Sequence, residues 1–244
     1  MAGCRGNFEN RCRKVLTMES GVFALILAAG TSSRMGTPKQ LLDWGEMPLL
    51  EQIIRKTLTL PFPEVVAVIG HRAKEIRRLI RIEDDRFRWV VNRDYAAGQS
   101  TSLLCGLAIG EGRYHSAMVF LGDQPLVAVE TIRRIFESGL KQLRTLREPE
   151  PFVVRPCFRG IPGHPVFLGN IRSMNLEELK GDRGAKEVLR TLRHRTILSV
   201  EDPGVILDID TPQAYESARR LAFRPRDSSS NMIRERHGDR LGTE

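Results

Sequence analysis

No apolar run in this sequence is long enough to cross a bilayer. The clearest, 22–29, 65–69 and 116–121, fall well short of the roughly 18 to 20 consecutive apolar residues that a spanning helix needs. Residues 1–20 carry Arg5, Arg11, Arg13 and Lys14 but lack an apolar centre and a small-residue cleavage site. A secretory signal is therefore not expected, no membrane partner is expected, and the expected compartment is the cytoplasm. Cysteine is sparse as well. Cys4, Cys12, Cys105 and Cys157 stand far apart, with no C-x-x-C pair and no histidine at zinc-ligand spacing, which argues for free thiols. Nor is there a basic stripe. The formal charge of +8 is dispersed, and residues 72–81, with Ile76, Leu79 and Ile80 at helical spacing, read as the solvated face of an amphipathic helix. Nucleic acid is not expected as a partner; some of the positive charge is available to small phosphorylated ligands. No internal repeat is present.

What the 244 residues do contain, 41% of them hydrophobic, is enough for a sizeable core. From Val22 onward short apolar runs alternate with amphipathic stretches. Strands are predicted at 22–27, 65–69, 87–91 and 117–121, and helices at 49–60, 73–81, 101–109 and 129–146. That alternation predicts a three-layer α/β/α sandwich with a mostly parallel, Rossmann-like sheet. Ligands bind at the carboxyl ends of the strands in such sheets. The second half reads as short strands at 152–154 and 165–168, forming a hairpin over the sheet edge. Helices at 171–179 and 184–192, strands at 196–200 and 206–209, and a last helix at 211–222 follow. Residues 1–20 read as a disordered leader, 21–223 as the single domain, and 224–244 as a disordered tail.

Chemistry concentrates at the strand ends. The first strand runs into Leu27-Ala28-Ala29-Gly30-Thr31-Ser32-Ser33-Arg34-Met35-Gly36-Thr37-Pro38-Lys39-Gln40. Small residues let the backbone approach a ligand and exposed amides can wrap phosphate oxygens, while Arg34 and Lys39 add permanent positive charge. The spacing matches neither G-x-x-x-x-G-K-[ST] nor G-x-G-x-x-G, which disfavours a P-loop ATPase and an ordinary dinucleotide dehydrogenase. Gly122-Asp123-Gln124-Pro125 follows another strand, where a carboxylate can hold a hard cation such as Mg²⁺; Asp123 can equally cap the next helix. Asp208-Ile209-Asp210-Thr211-Pro212 is a third strand end. Alternation sets Asp208 and Asp210 on one side, and Asp210 or Thr211 can also cap the helix that begins near Pro212. In residues 92–102, Gly98 permits close approach and Ser100 and Ser102 offer hydroxyls to a base, a ribose or the helix end.

The string L-A-A-G-x-S-x-R-M-G-x-P-K-x-L closely resembles the signature of the molybdenum cofactor cytidylyltransferases and their relatives, and the resemblance extends over residues 22–222. It implies the nucleotide-diphospho-sugar transferase fold. It further implies a signature loop, Leu27, Ala28, Ala29, Gly30, Arg34 and Lys39, that holds base and triphosphate, with Gly98 and Ser100 contributing to the base. Asp123 and Asp210 become ligands of Mg²⁺, and Arg34, Lys39 and Asp123 the catalytic set. Gly160-Ile161-Pro162-Gly163-His164-Pro165 and Gly181-Asp182-Arg183-Gly184-Ala185 resemble the family's later motifs, which place Gly163, His164 and Asp182 in an acceptor pocket. His164 either contacts an acceptor phosphate or is a buried histidine satisfying a backbone carbonyl. Related guanylyltransferases show two glycines where Ala29-Gly30 stands here, so CTP is the expected donor; the resemblance makes molybdopterin the expected acceptor, with a molybdoenzyme apoprotein as a further partner. The alternatives are GTP or another phosphorylated acceptor such as a sugar phosphate, a nucleotide-binding oxidoreductase, and a molybdoenzyme-delivery chaperone.

Overall fold

The structure is a computed structural model that describes residues 21–32, 35–175, 189–190 and 192–223. Arg34, Asp182, the expected leader and tail, and most of the helix expected at 184–192 lie outside the described residues. Ten strands are described: β1 (Val22–Ala28), β2 (Asp43–Trp44), β3 (Met47–Pro48), β4 (Val65–Ile69), β5 (Phe87–Val91), β6 (Ser116–Leu121), β7 (Phe152–Phe158), β8 (Ile161–Pro162), β9 (Val166–Gly169) and β10 (His194–Ser199). The helices are α1 (Leu49–Leu58), α2 (Ala73–Leu79), α3 (Gln99–Gly110), α4 (Val129–Thr145) and α5 (Pro212–Ala222).

The main sheet runs β10-β7-β9-β6-β1-β4-β5, with β8 paired to β7. The β1, β4, β5 and β6 strands are mutually parallel neighbours, β10 is parallel to β7, and β9 runs antiparallel to both β6 and β7. Because side chains alternate across a strand, β1 feeds two cores. Val22, Ala24, Ile26 and Ala28 join the α1 and α4 side with Ile54 and Ile135. Phe23 and Leu25 join the opposite side, under Leu103 and Leu107 of α3. Two apolar cores separated by one sheet are the three expected layers. In register, Leu27 faces Leu121 and Ala28 faces Ile69, so β1, β4 and β6 end level and their following loops share one edge.

The second half departs from the expectation. Instead of forming a hairpin over the edge, β7 and β9 are inside the sheet, with β9 inserted between β6 and β7. Both faces of these strands are buried: Phe152, Val154 and Phe167 in one core, Val153, Val166 and Leu168 in the other. Apolar burial on two sides suits an interior strand, not a flap. Residues 206–209 form no strand. Asp202 accepts from the Gly204 amide and begins a 3-10 turn at Pro203–Ile206 instead. A 3-10 turn at Ile171–Ser173 stands where a longer helix was expected to start, and the small β2–β3 hairpin was not anticipated.

Candidate active site

The loops after β1 and β6 touch. The Gly122 amide donates to the Leu27 carbonyl at 2.9 Å, and a Cβ at Gly122 would lie 2.7 Å from the Ala28 Cβ and 3.1 Å from the Leu27 oxygen. Only glycine allows this approach, and it brings the next residue, Asp123, up to the first loop. The segment bearing Asp210 is tied in by one further bond, from the Ile209 amide to the Asp123 carbonyl at 3.0 Å.

Lys39 closes the arrangement. Its Nζ donates to Asp123 Oδ2 at 2.6 Å and to Asp210 Oδ1 at 2.7 Å, while its backbone amide donates to Ser32 Oγ at 3.0 Å. Burial by itself lowers the ammonium pKa, but the charge and hydrogen bonds of Asp123 and Asp210 outweigh it and carry the pKa above its ordinary value. Two carboxylates against one ammonium leave the cluster with an excess negative charge, before Asp208 is counted. Asp208 accepts from Gln124 Nε2 at 2.7 Å. Burial, then the nearby charge of Asp123, push its carboxyl above the usual range.

The helix cap falls to Thr211, whose Oγ1 accepts from the Ala214 amide at 3.1 Å. The Asp210 carboxylate is thereby left to Lys39, and Asp123 caps nothing, since Ala128 precedes α4. Asp208 and Asp210 share the site although the strand whose alternation was to align them does not exist.

Lys39, Asp123 and Asp208 line a cleft of ≈ 290 Å³ together with Leu27, Ala28, Ala29 and Gly30. Gly98 and Ser100 do not line it. Ser100 is buried, and its Oγ has no hydrogen-bond partner among the described residues; Gly98 supports the start of α3 with φ +115°. The cleft is lined there by Tyr95, Gln99 and Ser102 instead. Sequence reasoning also passed over Gln40, whose buried amide donates to the Ala28 carbonyl at 2.7 Å and holds the loop open beside Lys39. Its position inside the signature string was the available signal.

Of the residues expected in the acceptor pocket, Gly163 and His164 are described, and both meet the Val205 carbonyl, to which Gln124 also donates. Gly163 is packed so tightly that a Cβ would lie 2.2 Å from the Val205 oxygen. The His164 amide, not its ring, satisfies that carbonyl, at 2.9 Å. His164 lines an annex of ≈ 50 Å³ that shares Leu27 and Gln99 with the cleft. Burial, and then the neighbouring Arg155 guanidinium, push the imidazole down to about 4, so it is neutral at pH 7.

Among the described residues no cluster of three or more His, Cys, Asp or Glu is arranged as a metal cage. Mg²⁺ does not require one, since it commonly takes one or two carboxylates and completes its shell with water and substrate phosphates. Asp123 and Asp210, already bridged by a cationic nitrogen, are a donor pair of that kind.

A mostly parallel sheet with its opening glycine loop, a lysine and two acids converging at the carboxyl edge defines a nucleotide-binding enzyme of the α/β class. The chain belongs to the family of the MobA-like NTP transferase domain, whose model matches residues 24–197, and is thus a nucleotidyltransferase with the nucleotide-diphospho-sugar transferase fold. It is 27% identical over 200 residues to the molybdenum cofactor cytidylyltransferase of Escherichia coli K12, covering 82% of this chain and 96% of that protein. It is 31% identical over 175 residues to the nicotine blue oxidoreductase of Paenarthrobacter nicotinovorans, covering 69% of this chain and 81% of that one. Among solved structures, Rv0371c of Mycobacterium tuberculosis H37Rv superposes with a TM-score of 0.66 at 29% identity, over 80% of this chain and 95% of that one. A second structure of that protein is a complex with manganese.

Proposed function

We propose that the protein transfers CMP from CTP to the terminal phosphate of molybdopterin, with Mg²⁺ and with release of pyrophosphate. The observation that carries this reading is the meeting of Lys39, Asp123 and Asp210 beside the loop after β1. Their charge balance suits a substrate that brings both a polyphosphate and a divalent cation. The name of the Escherichia coli relative supports CTP and molybdopterin, and Ala29 in place of a second glycine supports CTP.

An oxygen of the acceptor phosphate attacks the α-phosphorus in line. The bond from that phosphorus to the β-bridging oxygen breaks, and its electron pair leaves with pyrophosphate. A phosphate monoester is nucleophilic at neutral pH, so no dedicated base is needed, and the protein contributes positioning and charge. Leu27 to Gly30 offer a close-fitting backbone wall, and Tyr95, Gln99 and Ser102 line the side where a base can lie. Lys39, released from the carboxylates, neutralises triphosphate oxygens. Arg34 is assigned to the same task from the signature alone. Asp123 and Asp210 hold the cation, which when bound neutralises phosphate charge and polarises the α-phosphorus.

The deciding experiment is a pyrophosphate-release screen of four nucleoside triphosphates against molybdopterin and a panel of phosphorylated acceptors, with Mg²⁺. Release that requires CTP and molybdopterin together supports the reading. Release with GTP or a sugar phosphate alone replaces it. The kinship with nicotine blue oxidoreductase keeps one second reading, a nucleotide-dependent reduction, and loss of NADH absorbance would reveal it.

A further inference from the structure

Among the described residues Arg155 has no carboxylate partner. It stands on β7, half-buried, and its Nη2 donates to the Gly163 carbonyl at 3.1 Å. Its Nε is buried and has no hydrogen-bond partner among the described residues. Burial lowers its pKa; the Cys157 thiol, two residues on, opposes this and Arg190, a like charge, adds to it. A guanidinium withdrawn from water without a partner is costly, and an arriving anion offsets that cost. Structural arginines elsewhere in this protein look different: Arg86 is paired with Asp84, and Arg88 and Arg113 with Glu64.

The location gives the unpaired charge a use. Arg155 holds the carbonyl next to His164, which lines the annex that shares Leu27 and Gln99 with the cleft. The annex is lined by Leu27 of β1, Val119 of β6 and Val166 and Leu168 of β9, the strand next to β7, while Tyr95 follows β5 on the opposite flank of the sheet. A neutral His164 can donate a hydrogen bond there but cannot balance a dianion. Arg155 can, since a guanidinium stays charged and presents a fork that matches phosphate oxygens.

We propose that Arg155 is the anion-binding residue of the acceptor side, receiving a phosphate monoester that enters from the β7 flank while the nucleotide occupies the β1–β5 flank. Asp123, at the end of β6, then lies between the two substrates. This inference rests on the nucleotidyl-transfer reading and adds to it the residue that selects a phosphorylated acceptor.

The test is calorimetric binding of inorganic phosphate to the full chain saturated with Mg²⁺ and α,β-methylene CTP, for wild type, Arg155→Lys and Arg155→Met. Arg155→Met should weaken phosphate binding about tenfold or more, the scale of a lost charge-assisted contact. Arg155→Lys should retain part of it, and affinity for the nucleotide analogue should stay within about twofold. Because the charge is unpaired, Arg155→Met should also raise the melting temperature of the ligand-free protein and abolish its rise on adding phosphate. Unchanged phosphate binding in Arg155→Met overturns the proposal. A parallel loss of analogue affinity does too, by placing Arg155 on the nucleotide's own phosphates. A lower melting temperature would give it a structural task and likewise overturn it. If wild type binds phosphate through Arg155 but never binds the analogue, the nucleotidyl reading fails on separate grounds and the acceptor role goes with it.

Discussion

Lys39 Nζ lies 2.7 Å from Asp210 Oδ1, a partner 171 residues away, and occupies the side of that carboxylate which also faces Asp123. An ammonium and a divalent cation cannot share this position. In the proposed reaction the cation must enter as Lys39 leaves, and the triphosphate gives the lysine somewhere to go. Lys39→Met should therefore bind Mn²⁺ more tightly than wild type when no nucleotide is present, by about tenfold or more, because one unit charge at this range is worth several times the roughly 1.4 kcal/mol that tenfold represents. The same variant should bind CTP more weakly. Mn²⁺ titration followed by electron paramagnetic resonance checks both, and equal Mn²⁺ affinities without nucleotide would show that Lys39 does not compete.

Asp123 has no capping duty and no partner in the helix that follows, so its loss should cost function more than stability. Asp123→Asn is expected to lower pyrophosphate release by on the order of 10²-fold or more with little change in melting temperature. A rate within a few-fold of wild type would remove Asp123 from the catalytic set.

Much of the first half was legible because its strands are continuous apolar runs. β1 and β4 are buried on both faces and apolar throughout, while β6 opens on the buried Ser116, one residue before its expected start; amphipathic α1 and α4 announce themselves by their apolar faces. Strand order is not a periodic property, and nothing in residues 166–169 says that they run antiparallel between β6 and β7. The strand expected at 152–154 runs on to Phe158 through Pro156, which lies beyond Val154, the last residue there paired with β9, where a missing N–H breaks no bond to that strand. At the site, Lys39, Asp123 and Asp210 were marked by their strings, and the structure brings the three together. Of the two hydroxyls offered by residues 92–102, Ser102 lines the cleft and Ser100 is turned into the core, and Gln99 stands where Gly98 was expected, distinctions set by rotation about α3. Arg155 carried no motif at all, since an isolated arginine in a strand acquires meaning only when no acid pairs with it among the described residues.

His164 supplies a pH signature. Its folded pKa of about 4 lies below the ordinary value of 6.5, so between those values the unfolded chain binds the proton and the folded one does not. Stability is then full above pH 6.5 and falls as the pH drops toward 4, by at most about 3 kcal/mol for this group. His164→Gln should flatten the melting temperature against pH across that window. An unaltered slope would mean that the ring is accessible to protons in the folded state.

Lys56 holds the loop after Asp123 from behind. Its ammonium, on α1, donates to the Pro125 carbonyl and, at 2.9 Å, to that of Val127. Burial lowers its pKa in spite of the opposing charge of Asp202. Ordering that loop fixes the backbone from which Asp123 projects, and errors of about 1 Å at a reacting centre can cost on the order of 10²-fold in rate. Lys56→Met keeps the aliphatic stem and deletes both bonds, so residues 122–128 should exchange amide hydrogens faster while β1 and β4 remain protected. Turnover should fall by about tenfold or more with the CTP affinity nearly retained, because binding draws on other elements while in-line geometry depends on this loop. Arginine at position 56 should restore part of the loss through its own donors. If Lys56→Met merely lowers the melting temperature, with exchange at 122–128 and turnover per folded molecule unchanged, the lysine is packing for α1 and the loop positions Asp123 without it.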